Sequence, residues 1–193
     1  MKRLASPLML AVLLLWSAAL PAATITLATN LFGGNENPSN NSPGTGTGIV
    51  IFDTLAHTMR VIIEFSGLTG TTTAAHIHCC VSPDQNGPVA TTTPTFPGFP
   101  SGVSSGSYDN IFDTLNALTY SSGFLGTDSP GDAETRLFNA MVAGLTYLNI
   151  HSAPIFGGGE IRGQLRLVVP EPASIALLGL ALVVAGAMRK RLR

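Results

Sequence analysis

The sequence predicts an all-β domain, a sandwich or Greek-key barrel of antiparallel strands, and three observations carry that reading. Apolar and polar residues alternate with period two through several short segments. Those segments are rich in β-branched residues and are separated by Gly, Pro, Asn and Ser. The long apolar runs stand at the two ends, each beside basic residues, and so belong to targeting segments rather than to a core.

Taken in order, the elements are these. Residues 1–23 read as a secretory signal peptide: Lys2 and Arg3, an apolar stretch over 4–20, then Ala22 and Ala23 as the small-residue cleavage zone. Residues 24–29 alternate as a first strand, and 48–53 form a short apolar one. Over 58–66, Met59, Val61, Ile63 and Phe65 share one face, with Arg60 and Glu64 on the other. Residues 74–78 and 146–151 alternate in the same way. Over 160–168, Ile161, Gly163, Leu165 and Leu167 are expected to face inward and Glu160, Arg162, Gln164 and Arg166 outward. One helix is expected over 130–143. Ser129 stands at its N-cap, Pro130 at N1 and Asp132 at N3, and Leu137, Met141 and Leu145 follow on one face. Residues 35–48 and 91–107 are long loops without periodicity. The second, with Pro94, Pro97 and Pro100 around Phe96 and Phe99, reads either as a binding surface or as a cover over the core.

The pentapeptide Ile51-Phe52-Asp53-Thr54-Leu55 recurs as Ile111-Phe112-Asp113-Thr114-Leu115, and Gly67-Leu68-Thr69 before His76-Ile77-His78 echoes Gly144-Leu145-Thr146 before Asn149-Ile150-His151. A decayed duplication and coincidence among similar strands both fit.

The C-terminal residues form a three-part tail over 169–193. Pro170-Glu171-Pro172 precede a 16-residue apolar run to Met188, and Arg189, Lys190, Arg191 and Arg193 close the chain. The run is shorter than the roughly 20 residues a comfortable transmembrane helix needs. With the basic cluster in the cytoplasm it can hold an exported chain at the inner membrane. The pattern resembles the PEP-CTERM sorting signal of Gram-negative bacteria. That resemblance implies an exosortase-type enzyme as partner, inner-membrane anchoring before processing, and a final place at the cell surface or outside the cell.

With both ends set aside, residues 24–168 keep four arginines and no lysine against ten acids, a net charge of about −6. Nucleic-acid binding needs clustered basic residues, so this surface excludes it. Hydrolytic catalysis finds little support: there is no His-Glu-x-x-His and no distinctive carboxylate pair. Asp53, Asp109, Asp113 and Asp128 are expected to cap turns beside strand ends.

The residues that can carry chemistry are few. His76 and His78, two apart on a strand, project from the same face. His151 ends the echoing strand on the face that also bears Asn149 and Tyr147. Three such imidazoles can offer three nitrogen ligands to copper or zinc, and they can equally be strand-end histidines bonded to loop backbone. His57 lies in a turn. Cys79 and Cys80 follow His78 directly. In an exported chain two cysteines are expected to pair, yet neighbouring Cα atoms sit closer than the roughly 4.4–6.8 Å a disulfide prefers. A vicinal disulfide in a strained, reducible ring is the leading reading, beside metal-bound thiolates, an intermolecular bridge or two free thiols.

Ala75-His76-Ile77-His78, Asn86-Gly87-Pro88-Val89, Gly144-Leu145-Thr146-Tyr147-Leu148-Asn149-Ile150-His151 and Gly159-Glu160-Ile161-Arg162-Gly163-Gln164-Leu165, in that order, resemble the CHRD (chordin-like) domain over nearly all of 24–168. Cys79-Cys80 replace the glycine usual after the second histidine. The resemblance implies an immunoglobulin-like β-sandwich with no established catalytic activity. Within it, Glu160 is a candidate to pair with Arg162 or to orient His151.

Two functions follow as expectations. One is a non-enzymatic cell-surface or matrix protein associated with exopolysaccharide. The other is a metal-binding or redox module built on His76, His78, His151 and the Cys79–Cys80 pair, with copper or zinc as cofactor.

Overall fold

A computed structural model describes residues 24–168. The signal peptide and the sorting tail, with Pro170, Glu171, Pro172, Arg189, Lys190, Arg191 and Arg193, lie outside the described residues.

Eight strands form one antiparallel sheet: β1 (Thr24–Phe32), β2 (Thr45–Asp53), β3 (Thr58–Ser66), β4 (Thr71–Cys79), β5 (Gly106–Asp113), β6 (Thr146–Ala153), β7 (Ile161–Gln164) and β8 (Arg166–Leu167). Their order is β4-β6-β7-β1-β2-β3-β5, with β8 also paired to β1. The domain is all-β, as the period-two pattern requires. Its two layers are limbs of a single curled sheet: β4, β6 and β7 fold over β1, β2, β3 and β5. The limbs touch where Gly48 of β2 meets Leu148 of β6, so closely that a Cβ at Gly48 would stand 2.5 Å from a Leu148 methyl. Glycine is required there by close approach. Between the limbs lie Leu27, Leu31, Val50, Phe52, Met59, Val61, Ile63, Ile77, Leu148, Ile150 and Ile161, all fully buried.

β5 was not anticipated as a strand, although the repeated pentapeptide marked its end. β2 and β5 flank β3 on opposite sides in the same register: Phe52 and Phe112 both pair with Met59, and Asp53 and Asp113 both pair with Thr58. The repeat therefore occupies equivalent places about β3.

Two short helices follow β5: α1 (Ser122–Leu125) and α2 (Pro130–Val142). The Ser129 hydroxyl accepts a hydrogen bond from the Asp132 amide at 3.2 Å, as the capping residues dictate. The helix stops where Gly144 takes φ 69, the left-handed step that ends many helices. Leu137 and Met141 are fully buried. Glu134, also buried, accepts the Thr114 hydroxyl at 2.6 Å and meets His57 at 2.9 Å, which ties α2 to the end of β5 and to the β2–β3 turn.

The long loop 91–107 packs down. Phe96 stacks on Tyr108 at 5.7 Å and Phe99 on Phe65 at 5.6 Å. The loop also lies along the free side of β4: Phe96 N–H donates to the Ala75 carbonyl, Thr72 N–H to that of Val103, and Thr91 and Thr95 hydroxyls accept from Ile77 and Ala75 amides.

Three expectations need correction. The strand expected over 160–168 breaks at Leu165; Ile161, Gly163 and Leu165 are buried and Arg166 is exposed as alternation suggests, but the pattern fails at three positions. Glu160 and Arg162 are buried, whereas Leu167 is 38% exposed. Asp53 and Asp113 do hold turns, accepting the Leu55 and Leu115 amides. Asp109, however, sits within β5 and binds Arg60 at 2.6 Å, and Asp128 binds Arg136 at 2.7 Å.

Candidate metal centre

β4 and β6 place the histidines on one face because their register pairs His76 with Asn149, His78 with Tyr147 and Ala74 with His151. The intervening Ala75, Ile77, Leu148 and Ile150 turn into the core, which fixes the histidines on the opposite side. There they are covered by loop residues. The three rings form a near-equilateral cluster, with centroids 5.3, 5.8 and 5.9 Å apart.

Each ring is pinned by one backbone carbonyl. His76 Nε2 donates to Pro94 O at 2.8 Å, His78 Nδ1 to Gly87 O at 2.8 Å and His151 Nδ1 to Gly157 O at 3.0 Å. A carbonyl only accepts, so the facing nitrogen must carry hydrogen and the other must present a lone pair. Those other nitrogens, His76 Nδ1, His78 Nε2 and His151 Nε2, are buried and have no hydrogen-bond partner among the described residues. One ligand atom from each ring lies within 4.8 Å of the others. Three buried, orphaned acceptors in one place are costly unless something takes their lone pairs.

Burial also keeps the rings neutral. Desolvation, with the neighbouring imidazoles adding to it, lowers the pKa of His76 and of His78 to about 4, and burial lowers that of His151. Neutral imidazole is the metal-binding form, and a second-nitrogen bond to a carbonyl is the usual way a ligand histidine is oriented. The donor set therefore fits copper or zinc.

The surroundings are polar. The Tyr147 ring lies parallel to His78 at 4.7 Å, the Arg162 guanidinium stands 4.7 Å over the Tyr147 ring, and Tyr147 Oη accepts the Gly87 amide at 3.1 Å. Arg162 faces Glu36 at 4.0 Å. Burial raises the Glu36 pKa to about 7, against the pull of Arg162. Glu36 comes from the aperiodic loop after β1 and carried no sequence signal. The orienting carbonyls of Gly87, Pro94 and Gly157 carried none either, since any residue supplies one.

Glu160 does not orient His151, nor does it pair with Arg162. It accepts hydrogen bonds from Ser42 Oγ and Thr69 N at 2.5 Å, from Gly70 N at 3.2 Å and from the Ser152 hydroxyl. The Cys79 and Cys80 sulfurs are bonded to each other. Cys79 is fully buried in the core, while Cys80 is exposed with φ 109.

A model of the CHRD domain matches residues 27–165, and a PEP-CTERM protein-sorting motif matches 168–191. The chain belongs to the CHRD domain family and ends in an exosortase-type sorting signal, which makes it an exported protein handled by that machinery. No curated protein and no solved structure matches it.

Proposed function

We propose that the chain is an extracellular metal-binding module. Copper or zinc would be held by His76 Nδ1, His78 Nε2 and His151 Nε2, and the sorting tail would anchor the chain at the inner membrane before processing. The observation that carries this reading is the set of three buried lone pairs, each aimed by a backbone carbonyl bonded to the opposite ring nitrogen. The ion would supply Lewis-acid or one-electron chemistry. The protein supplies neutral nitrogens, a fixed ring geometry and exclusion of water. No catalytic step is needed. Delivered to the cell surface or to exopolysaccharide by its tail, the domain would keep a metal there as a non-enzymatic surface component.

The test is metal content of the chain exported to the periplasm of a Gram-negative host supplied with copper and zinc. About one ion per chain is expected, lost in His76→Ala and in His151→Ala. Wild-type protein that leaves the column metal-free and takes up neither ion afterwards would refute the proposal.

A further inference from the structure

The Cys79–Cys80 disulfide is not used by the metal reading, yet it adjoins the site through the chain and through space. His78 is followed at once by Cys79. From Cys80 the chain runs out and returns at Gly87, whose carbonyl fixes the tautomer of His78. Gly87 rests directly on the disulfide's own backbone: a Cβ there would lie 2.8 Å from the Cys79 carbonyl oxygen and 2.9 Å from Val81. The same return is stitched down by Cys79 N–H to Pro88 O at 3.1 Å and by the bridge between His78 and Val89. Any change in the path of Cys79 and Cys80 is thus passed to Gly87 and from there to His78.

Cys80 is also where that path is least natural. Its φ of 109 is glycine territory. The Cys80 and Val81 amides themselves make only long hydrogen bonds, both to the Leu145 carbonyl at 3.3 Å, while the firmer ties of the return lie further on, at Asp84, Gln85, Asn86 and Gly87. The bond to the buried Cys79 sulfur is the covalent tie at that residue.

We propose that this disulfide is a thiol-exchange site that gates the metal centre. The inference rests on the metal reading of His76, His78 and His151, and it makes the oxidised pair the metal-holding state. A thiolate of an external dithiol attacks the sulfur of exposed Cys80. The S–S bond breaks, and the Cys79 sulfur leaves as thiolate and takes up a proton. The second thiol of the reagent then displaces Cys80 from the mixed disulfide. The dithiol is oxidised by two electrons, and both cysteines end as thiols. Cys80 then returns to negative φ, the 80–88 return shifts, Gly87 O leaves His78 Nδ1, and the ligand set loses one oriented ring.

The experiment measures zinc affinity of the full exported chain by competition with a chromophoric chelator under anaerobic conditions. It is done before and after reduction with a water-soluble phosphine that is then removed. Loss of an outer partner of a ligand histidine costs about 10–100-fold in affinity, and a drop of that size is expected on reduction. Two variants separate the mechanism from simple damage. Cys79→Ala with Cys80→Ala should bind as weakly as the reduced protein. Cys79→Ala with Cys80→Gly, whose glycine accepts positive φ without a bond, should bind like the oxidised wild type. Equal or tighter binding after reduction overturns the gate while leaving the metal site standing, and so does a glycine variant as weak as the alanine one. An oxidised wild type that binds no zinc or copper overturns both.

Discussion

At the scale of single residues, the centre is made by small choices of which nitrogen faces what. The two-residue spacing put His76 and His78 side by side in the sequence, and the echo of that strand pointed to His151. Bonding to loop backbone was one of the two readings of these histidines, and each ring makes such a bond; which carbonyl each one meets was not legible, because backbone groups leave no mark in a sequence. The pKa shifts have a consequence for the metal-free protein. The three histidines titrate near 6.5 when unfolded and lower when folded. Below 6.5 the unfolded chain therefore binds protons that the folded one refuses, and stability falls as pH drops toward about 4. Glu36 works in the opposite sense. Its folded value near 7 lies above the unfolded 4.5, so it stabilises at low pH and loses that contribution as pH rises through 7. Denaturant midpoints of the metal-free protein should fall between pH 6.5 and 4, and more steeply in Glu36→Gln. A flat profile in both proteins would contradict the assignment of neutral, desolvated rings.

At the scale of elements, Glu160, just ahead of β7, shows where pattern reading failed. The alternation Glu-Ile-Arg-Gly-Gln-Leu is regular, so it assigned Glu160 to the solvent face. The structure buries the carboxylate because four donors from three separate segments converge on it, and long-range partners are not written in local periodicity. Burial opposes its charge, yet the donors hold its pKa below the usual carboxylate value. Its contribution is complete above the unfolded value of 4.5 and is lost as pH falls through the folded value. Glu160→Gln sets an amide NH2 among groups that are themselves donors. A loss of about 1.5–3 kcal/mol is expected from chemical denaturation. The helix was legible because its signals are local: Ser129 caps it, and Leu137 and Met141 repeat at helical spacing. Leu137→Ala should cost about 2–5 kcal/mol by the same measurement, since the site is fully buried.

At the scale of the whole molecule, the all-β class followed from period two, while the single curled sheet did not. Gly48 and Leu148 are far apart in sequence, and nothing near either announces that two limbs meet there. β5 was hidden for a related reason: its strand pattern is weak, and its place beside β3 rests on register with a distant partner. If the three histidines hold an ion, folding and binding are linked. With metal about 100-fold above Kd the folded state gains about 2.7 kcal/mol, so the thermal midpoint should rise with added zinc. The rise should vanish in His78→Ala.

The loop that runs beside β4 has a further effect. A terminal strand of an open sheet displays unpaired amides and carbonyls, a template on which another chain can add. Here Ala75, Ile77 and Cys79 amides are taken by Thr95, Thr91 and Pro88, and the Ala75 and Ile77 carbonyls by Phe96 and Ala90. The limb bearing the histidines thus offers no edge for strand addition along this stretch. A crowded surface layer of such chains is thereby denied one route to aggregation through the side that carries the site.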